Sequence, residues 1–189
     1  MSASSFQALR DLESAAQANA LPLPLGENGE PQWQGIGYQL GGIRLVSAMG
    51  EVREVLQPPR YTPLPGVQSW VLGIANIRGR LIPIIDLHRY LDLDASLPPS
   101  LARVLVVEGG GLVAGLLVEA SLGIQHFMVS AFELPGADVP GAIAPLVRGA
   151  YRHGGRIYYE AKLSGLLEQP RFRDVAIHDE ERTPADTLH

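Results

Sequence analysis

The chain has no cysteine, no long hydrophobic run and no excess of positive charge. The absence of cysteine excludes a disulfide framework, thiolate metal sites and a thiol nucleophile. No stretch approaches about 18 consecutive apolar residues, and no basic segment precedes a hydrophobic one at the N-terminus, so neither a membrane span nor a signal peptide is predicted. The net charge of -5 gives no overall attraction to nucleic acid or anionic lipid. We expect a soluble, cytoplasmic protein.

Residues that often carry catalysis or bind a cofactor do not form a recognisable pattern here. Asp86 and His88 are two positions apart, and on a helix such residues do not face each other. The Gly109–Gly111 run lacks the Lys-Ser/Thr that completes a phosphate-binding loop. The other histidines show no metal-ligand spacing: His126, His153, His178 and His189. We therefore predict no enzyme activity, cofactor or metal, and keep a small hydrolase using Asp86 or His88 as a minor alternative.

The stretch from Trp70 to Leu91 predicts a β-hairpin followed by a short helix. Its first strand is rich in β-branched residues and ends at Arg78-Gly79, where glycine accommodates the positive φ of a tight turn. Asp86 follows the second apolar strand as a helix N-cap, and apolar residues then recur at helical spacing.

Pro83 lies inside the second strand of this hairpin. Proline cannot donate a hydrogen bond to a β-ladder, so it is confined to edge strands and bulges. We predict that this strand is an edge of its sheet or is bulged.

The hairpin-and-helix pattern returns 76 positions later (149 − 73). The matched pairs are Gly73 with Gly149, Gly79 with Gly155, Arg80 with Arg156, Leu87 with Leu163 and Leu91 with Leu167. Upstream, Gly42 and Val55 match Gly111 and Ile124 at an offset of 69 (111 − 42). Two such long repeats favour a tandem duplication of one small domain over a solenoid. Modules this small should share an interface.

Short strands and tight turns in each copy predict an all-β fold of two tandem small antiparallel barrels. The first barrel is expected over about residues 33–95 and the second over about 100–168, which together form one domain, 33–168. Residues 1–32 read as an N-terminal helix at Ser4–Ala20 and a linker, and the helix either packs on its own domain or docks on a partner. Residues 169–189 form a tail, with disorder predicted at Asp179–Asp186.

A more specific signal lies in the segment Val52–Val55 and in GIANIRGRLIPIIDL, which contains Asn76, Arg78 and Gly79. Together with the proline-rich connection between them, these segments resemble the CheW family, whose members carry a V-x-E-V/I strand and a G-x-x-N-x-R-G-x-x-x-P-x-x-D-L hairpin. The resemblance covers about residues 33–168. The N-terminal extension is similar to that of CheW-type proteins from pilus-associated chemosensory systems.

The resemblance implies two SH3-like five-stranded barrels with short helices, and a non-enzymatic adaptor. CheW-like proteins couple the cytoplasmic tip of a methyl-accepting chemoreceptor to the regulatory domain of a CheA-type histidine kinase. The implied partners are therefore these two proteins, and the implied location is the cytoplasm, with recruitment to membrane-bound receptor arrays. The implied process is chemotaxis-like signalling, with twitching motility driven by type IV pili as a candidate output.

Eight residues are candidates for protein binding on this resemblance. They are Val52, Glu54, Val55, Asn76, Ile77, Arg78, Gly79 and Val118. Arg78 is expected to pair with Glu54 and to fix the receptor-facing surface. The four aliphatic residues are candidates for a groove between the barrels that receives a receptor helix, with core packing as an equal alternative. Lys162 stands in the second copy where the first has Asp86, so this surface is not carried over to the second barrel.

One local basic cluster supports a rival function. Its members, with nearby tyrosines, are Arg148, Arg152, His153, Arg156, Tyr151, Tyr158 and Tyr159. Barrels of this size bind nucleic acid through basic and aromatic faces. A small nucleic-acid-binding barrel is therefore the alternative hypothesis.

Overall fold

The computed structural model describes residues 29–95, 97–136 and 138–175. The helix predicted at Ser4–Ala20 and the disorder predicted at Asp179–Asp186 lie outside these residues. The strands are β1 Gln32–Leu40, β2 Ile43–Ala48, β3 Val52–Leu56, β4 Val71–Ile77, β5 Arg80–Asp86, β6 Arg103–Gly109, β7 Leu112–Val118, β8 Ala120–Met128, β9 Phe132–Glu133, β10 Val147–His153 and β11 Arg156–Ala161. The α-helices are α1 Leu87–Leu91, α2 Leu163–Glu168 and α3 Pro170–Arg173. Within the described ranges no helix is long and apolar enough to cross a membrane.

The strands form two sheets that each combine both halves of the chain. The six-stranded sheet has the order β8-β1-β2-β11-β10-β9, and the five-stranded sheet has the order β3-β6-β7-β5-β4. Both sheets are antiparallel except where β2 runs parallel to β11 and β5 runs parallel to β7. The first hairpin of each copy therefore completes the sheet of the other copy.

The predicted all-β fold with two barrel subdomains is confirmed, but the barrels are not consecutive along the chain. Boundaries at about 33–95 and 100–168 assign β1 and β2 to the first barrel, whereas these strands pair with β8 and β11. Likewise β6 and β7 pair with β3 and β5. A constant offset between repeats is the same whether the hairpins stay in their own copy or are exchanged, so the sequence pattern did not distinguish the two arrangements.

The register of the strands confirms the internal repeat. Ile84 pairs with Gly115 in the five-stranded sheet, and the positions related by the repeat, Glu160 and Val46, pair in the six-stranded sheet. In the same way, Glu54 pairs with Val106, and the related positions 123 and 37 pair with each other. The two sheets are thus related by an approximate twofold relation in their hydrogen bonding.

Three groups of buried side chains follow from this arrangement. Aliphatic residues from β4, β5 and β6, such as Ala75, Ile84 and Val104, fill the five-stranded barrel. The six-stranded barrel is filled by an aromatic group that includes Phe127 and Tyr151, whose ring centroids are 4.5 Å apart. The third group is a shared core between the barrels, to which both sheets and all three helices contribute. This shared core is the interface that the small size of each copy required.

Pro83 does not lie on an edge strand, so this part of the prediction was wrong. The strand that contains it, β5, is an inner strand between β4 and β7. Pro83 pairs with Ile74 of β4, while the parallel ladder to β7 begins one residue later, at Ile84. The register shift in the β4–β5 pair falls between Val71 and Gly73, on the opposite strand. The missing N–H therefore costs no ladder hydrogen bond, because the ladder to β7 begins only at Ile84 and the backbone of Ile74 bonds on its other side to Thr62.

The packed structure continues beyond the predicted domain end at residue 168. Phe172 of α3 is 1% exposed, and its ring lies edge-on to that of Tyr90 at 5.5 Å. Arg171 stacks over Trp70 and Tyr90, at 5.0 and 4.8 Å from the ring centroids. The segment after α2 thus belongs to the shared core rather than to a free tail.

Gly73 permits the backbone of Thr62 to approach β4 closely, and the glycine at the related position of the second copy is crowded in the same way. Its φ is +148°, and a Cβ added there would lie 2.2 Å from the carbonyl oxygen of Thr62, which is bridged to Ile74. The related Gly149 is crowded in the same way by Phe132 and the Glu133 carbonyl, on β9. In both sheets a short segment crosses the strand at a glycine.

We predict that Gly73→Ala lowers the free energy of unfolding by about 3 kcal/mol or more, because the new methyl group meets backbone that cannot move aside. Chemical denaturation monitored by circular dichroism measures this. Gly50→Ala is the matched control, since its added Cβ meets nothing within 4 Å, and it should change stability by less than about 0.5 kcal/mol. Equal effects of the two substitutions would contradict the role assigned to Gly73.

Candidate protein-binding surface

The turn between β4 and β5 has an unusual residue at its first position. All four two-residue hairpin turns of the described chain have positive φ at both positions. Three of them are Gly-Gly: Gly41-Gly42, Gly110-Gly111 and Gly154-Gly155. The fourth is Arg78-Gly79, with φ of 52° and 82°. A non-glycine residue in this conformation costs about 1–2 kcal/mol. Arg78 is therefore retained where glycine would fold more easily.

The Arg78 guanidinium closes the mouth of the five-stranded barrel. Its Nη2 lies 2.5 Å from Oε1 of Glu54, as the sequence predicted. Glu54 is on β3 and Arg78 follows β4, and these are the two edge strands of the sheet. The ion pair thus joins the two ends of the sheet where it curls into a barrel. With the Arg78 side chain 78% exposed, the pair adds little to folding stability.

Asn76 and Gly79 hold the turn in shape. The Asn76 Oδ1 accepts a hydrogen bond of 2.8 Å from the Gly79 N–H. A side-chain amide that bonds the backbone in this way stabilises a turn without using the ladder. Both residues therefore help to fix the position of Arg78, which lies between them in the sequence.

A small cavity of about 200 Å³ lies beneath the ion pair. Its walls are charged and its floor is apolar; it is lined by Arg53, Glu54, Ile77, Arg78, Arg80, Ile82, Val106 and Val113. Arg53 forms a further ion pair with Glu108. We call the exposed surface formed by Glu54, Arg78 and this cavity the barrel mouth.

The four predicted aliphatic site residues do not line one groove. Ile77 lines the barrel mouth, but Val52 and Val118 belong to the shared core and are 7% and 0% exposed. Val55 is half-buried and packs against the same core. Val118 has no exposed surface, so it can support a binding surface only from beneath. For Val52 and Val118, the packing alternative describes the observed environment.

A groove does open at the edge of the shared core, but other residues form it. Its volume is about 470 Å³, and it is almost entirely apolar. The lining residues are Leu64, Val67, Val71, Ile74, Pro83, Ile85, Gly110, Gly111, Leu112, Phe172, Arg173 and Val175. We call it the core groove. Sequence reasoning missed these residues because they come from the proline-rich connection, strands β4 and β5, the β6–β7 hairpin and the segment after residue 168, which meet only in the folded chain.

Asp86 and His88 lie in contact, contrary to the prediction from helical spacing. Asp86 is the N-cap of α1 in extended conformation, and its Oδ1 accepts from the N–H groups of His88 and Arg89 at 3.0 and 3.3 Å. The same oxygen is 3.5 Å from Nδ1 of His88. The rule for two residues on a helix did not apply, because the capping residue stands before the helix. The polar contacts of the His88 ring are to the carboxylates of Asp86 and Glu119.

The basic cluster of the second copy is not an aromatic stacking face. Arg152 pairs with Glu133 at 3.1 Å, which offsets its charge. Tyr151 and Tyr158 are 3% and 7% exposed and fill the six-stranded barrel. Stacking on bases requires exposed rings. The geometry therefore gives no support to nucleic-acid binding.

We predict that Arg78→Gly leaves the free energy of unfolding unchanged or slightly higher, because the strain relieved is at least as large as the value of an exposed ion pair of about 0–1 kcal/mol. Arg78→Val should instead lower stability, since a β-branched residue tolerates positive φ poorly. Thermal and urea denaturation compare the two. A loss of more than about 2 kcal/mol in Arg78→Gly would show that the pair is needed for folding.

The CheW-like domain family matches residues 34–171. The chain is 40% identical to Protein PilI of Pseudomonas aeruginosa over 91% of this chain and 96% of that protein. It is 29% identical to Protein FrzA of Myxococcus xanthus over 80% of this chain and 96% of that protein.

The fold also matches a solved structure, the scaffolding protein TtCheW from Thermoanaerobacter tengcongensis. The TM-score is 0.65 at 25% sequence identity, and the match covers 73% of this chain and 94% of the other. Proteins of this family are scaffolds rather than enzymes. The exchanged double barrel, the matched domain and these relatives lead to one conclusion: the chain belongs to the CheW-like family of chemosensory scaffold proteins.

Proposed function

We propose that this protein is a non-enzymatic adaptor that couples chemoreceptors to a CheA-type histidine kinase. The similarity to PilI and FrzA over most of the chain supports a role in chemosensory signalling that controls motility. Twitching by type IV pili is the proposed output, because PilI is the relative that is 40% identical. The proposed location is the cytoplasm, at membrane-bound receptor arrays.

The observation that carries the proposal is the strained Arg78 at the barrel mouth. The repeat places Gly123 and Gly154 in the second copy where the first has Glu54 and Arg78. The two barrels share their strand pairing and differ at this point. Since folding favours glycine in this turn, recognition of a partner is the better reason for the arginine. We therefore propose that binding at the barrel mouth sets the positions of the receptor and the kinase on the adaptor.

The kinase is proposed to bind along open strand edges. Strands β3 and β8 stand at the ends of their sheets and are related by the repeat. An open edge offers unpaired backbone groups to another sheet, and the regulatory domain of a CheA-type kinase has the same double-barrel fold by family resemblance. Glu54 lies on β3, so the barrel mouth continues directly into this edge.

The receptor tip is proposed to insert apolar side chains into the core groove. A helix carries its anchors at intervals of three and four residues, and a groove of about 470 Å³ accepts a few of them. The related place in the second copy is smaller, about 260 Å³, and its lining includes the charged residues Glu133, Asp138 and Arg152. Tyr159 stands there where the first copy has Pro83. We therefore assign one receptor helix to the core groove. Signal then passes as a coupling free energy between two binding events.

We predict that Arg78→Glu weakens binding to a CheA-type regulatory domain or a receptor-tip fragment at least tenfold, by repelling Glu54 and removing the net positive charge of the barrel mouth. Co-purification and calorimetric titration of the full-length chain measure this. Arg156→Glu is the matched control, since Arg156 is an exposed arginine beside the turn of the related hairpin.

The double variant Glu54→Arg with Arg78→Glu separates two roles. Recovery of binding would show that the ion pair acts by closing the mouth, whereas continued loss would show that the partner contacts Arg78 directly. Equal binding by Arg78→Glu and the original protein, with both folded, would refute the proposed site.

We also predict that Val67→Asp in the core groove weakens receptor-tip binding while the kinase domain still binds. A carboxylate there must be desolvated against apolar groups when a helix enters. Leu134→Asp is the control, since Leu134 is 80% exposed and lies outside the core groove. Unchanged receptor binding in the folded Val67→Asp variant would place the receptor elsewhere.

A further inference from the structure

The chain crosses between the two sheets at two places that the repeat relates. The first crossover, residues 49–51, leads from β2 of the six-stranded sheet to β3 of the five-stranded sheet. The second crossover is residue Glu119, which leads from β7 back to β8. Each crossover carries an acidic residue that faces a helix. Glu51 faces α2 and Glu119 faces α1, and each of these helices follows the last hairpin of its copy. These two contacts fix the barrels to each other outside the shared core.

The first crossover is held by neutral donors. Glu51 accepts hydrogen bonds from the backbone N–H of Leu163 at 3.1 Å and from Oγ of Ser164 at 2.7 Å. Helix α2 has Lys162 at its N-cap position, and that side chain makes no cap hydrogen bond. The carboxylate of the other half therefore caps this helix. Neither donor changes its charge in the physiological pH range.

The second crossover is held by a titratable group. The repeat places His88 where the second copy has Ser164, and Nε2 of His88 lies 3.2 Å from Oε1 of Glu119. The Glu119 side chain is 1% exposed and that of His88 is 14% exposed. The alignment falls short of a hydrogen bond. The attraction between these two groups therefore depends on the charge of the imidazole.

The groups around His88 favour its protonated form. Asp86 faces Nδ1 at 3.5 Å, and Arg89 offsets part of this carboxylate through an ion pair of 3.3 Å. The Glu119 carboxylate also accepts a long hydrogen bond of 3.5 Å from the Gly42 N–H. The backbone N–H of Glu119 donates to the carbonyl oxygen of Gln39. The remaining walls of the adjoining cavity are apolar and come from Ala95, Leu97, Pro98, Pro99, Ala102, Leu117 and Val118. A carboxylate in such surroundings needs a nearby cation.

We propose that the proton on His88 is a switch that sets how firmly the two barrels are held at the second crossover. With the imidazolium in place, Glu119 is neutralised and the turn at Gly42 stays closed on the crossover. Without it, a buried carboxylate faces a neutral ring, and the crossover loosens. The first crossover has no such dependence, so the response to pH is confined to one side of the molecule.

The direction of the effect follows from the groups in contact. The Asp86 carboxylate raises the pKa of His88 above its ordinary value, burial opposes this, and the Glu119 carboxylate raises it further. A histidine with a raised pKa in the folded state contributes stability that is complete below its ordinary pKa of about 6.5. This contribution is lost as the pH rises through the folded-state pKa. The crossover therefore loosens on the alkaline side.

The test uses the full-length chain and two variants. His88→Gln keeps a neutral side chain of similar size and removes the titration, while Ser164→Ala alters the related first crossover without a titratable group. Thermal denaturation between pH 6 and 9 is measured together with hydrogen exchange at the amides of Gly42 and Glu119, corrected for the intrinsic pH dependence. The imidazole pKa is followed by NMR in the original protein and in Glu119→Gln.

The original protein and Ser164→Ala should both lose about 2–4 °C more in Tm across this range than His88→Gln does. The amides of Gly42 and Glu119 should exchange faster at high pH only where His88 is present, and Glu119→Gln should lower the His88 pKa. The same pH slope in His88→Gln and the original protein would overturn the proposal. A His88 pKa at or below its ordinary value, or one unmoved by Glu119→Gln, would also overturn it, even if His88→Gln fails to fold.

Discussion

The exchange of hairpins between the two halves is the constraint on which the rest of the structure depends. Each exchanged hairpin is held in the other half's sheet by a parallel and an antiparallel pairing. These are β2 with β11 and β1 with β8 in the six-stranded sheet, and β7 with β5 and β6 with β3 in the five-stranded sheet. Neither half can complete its barrel alone, so the chain should fold as one cooperative unit despite its duplicated origin. The shared core, the core groove and both crossovers exist only because the sheets are interlocked in this way.

The two related barrels share their strand pairing but differ in their interiors and in their turns. Strand pairing is preserved in register between the sheets, yet one barrel interior is aliphatic and the other is a stack of aromatic rings. The hairpin turns differ in the same sense, since three are Gly-Gly and the fourth contains Arg78. A backbone fixed by hydrogen bonds leaves turn tips and edges free to change, and these are the places where an adaptor meets its partners.

The local elements were predictable from the sequence because they depend on neighbouring residues. Apolar alternation and Gly-containing turns predicted the hairpins, and the motif around Arg78 predicted both the family and the pairing with Glu54. The partition of strands between sheets was not predictable, because both arrangements have the same repeat offset. The capping of α2 by Glu51 also escaped prediction, since it depends on a contact between distant segments. For Val118, the sequence left core packing and a binding groove as equal alternatives, and the fold decides for packing. The inner position of β5 was missed because Pro83 was judged without knowing where the β7 ladder begins.

We propose that the barrel mouth and the open edge of β3 form a docking surface in an adaptor. A hydrogen-exchange footprint tests it most directly, with the full-length chain measured alone and with the regulatory domain of a CheA-type kinase plus a receptor-tip fragment. We predict slower exchange in β3 and in the β4–β5 turn around Arg78, with no change in the related β10–β11 turn. Protection restricted to the β10–β11 turn, or none at β3, would contradict it.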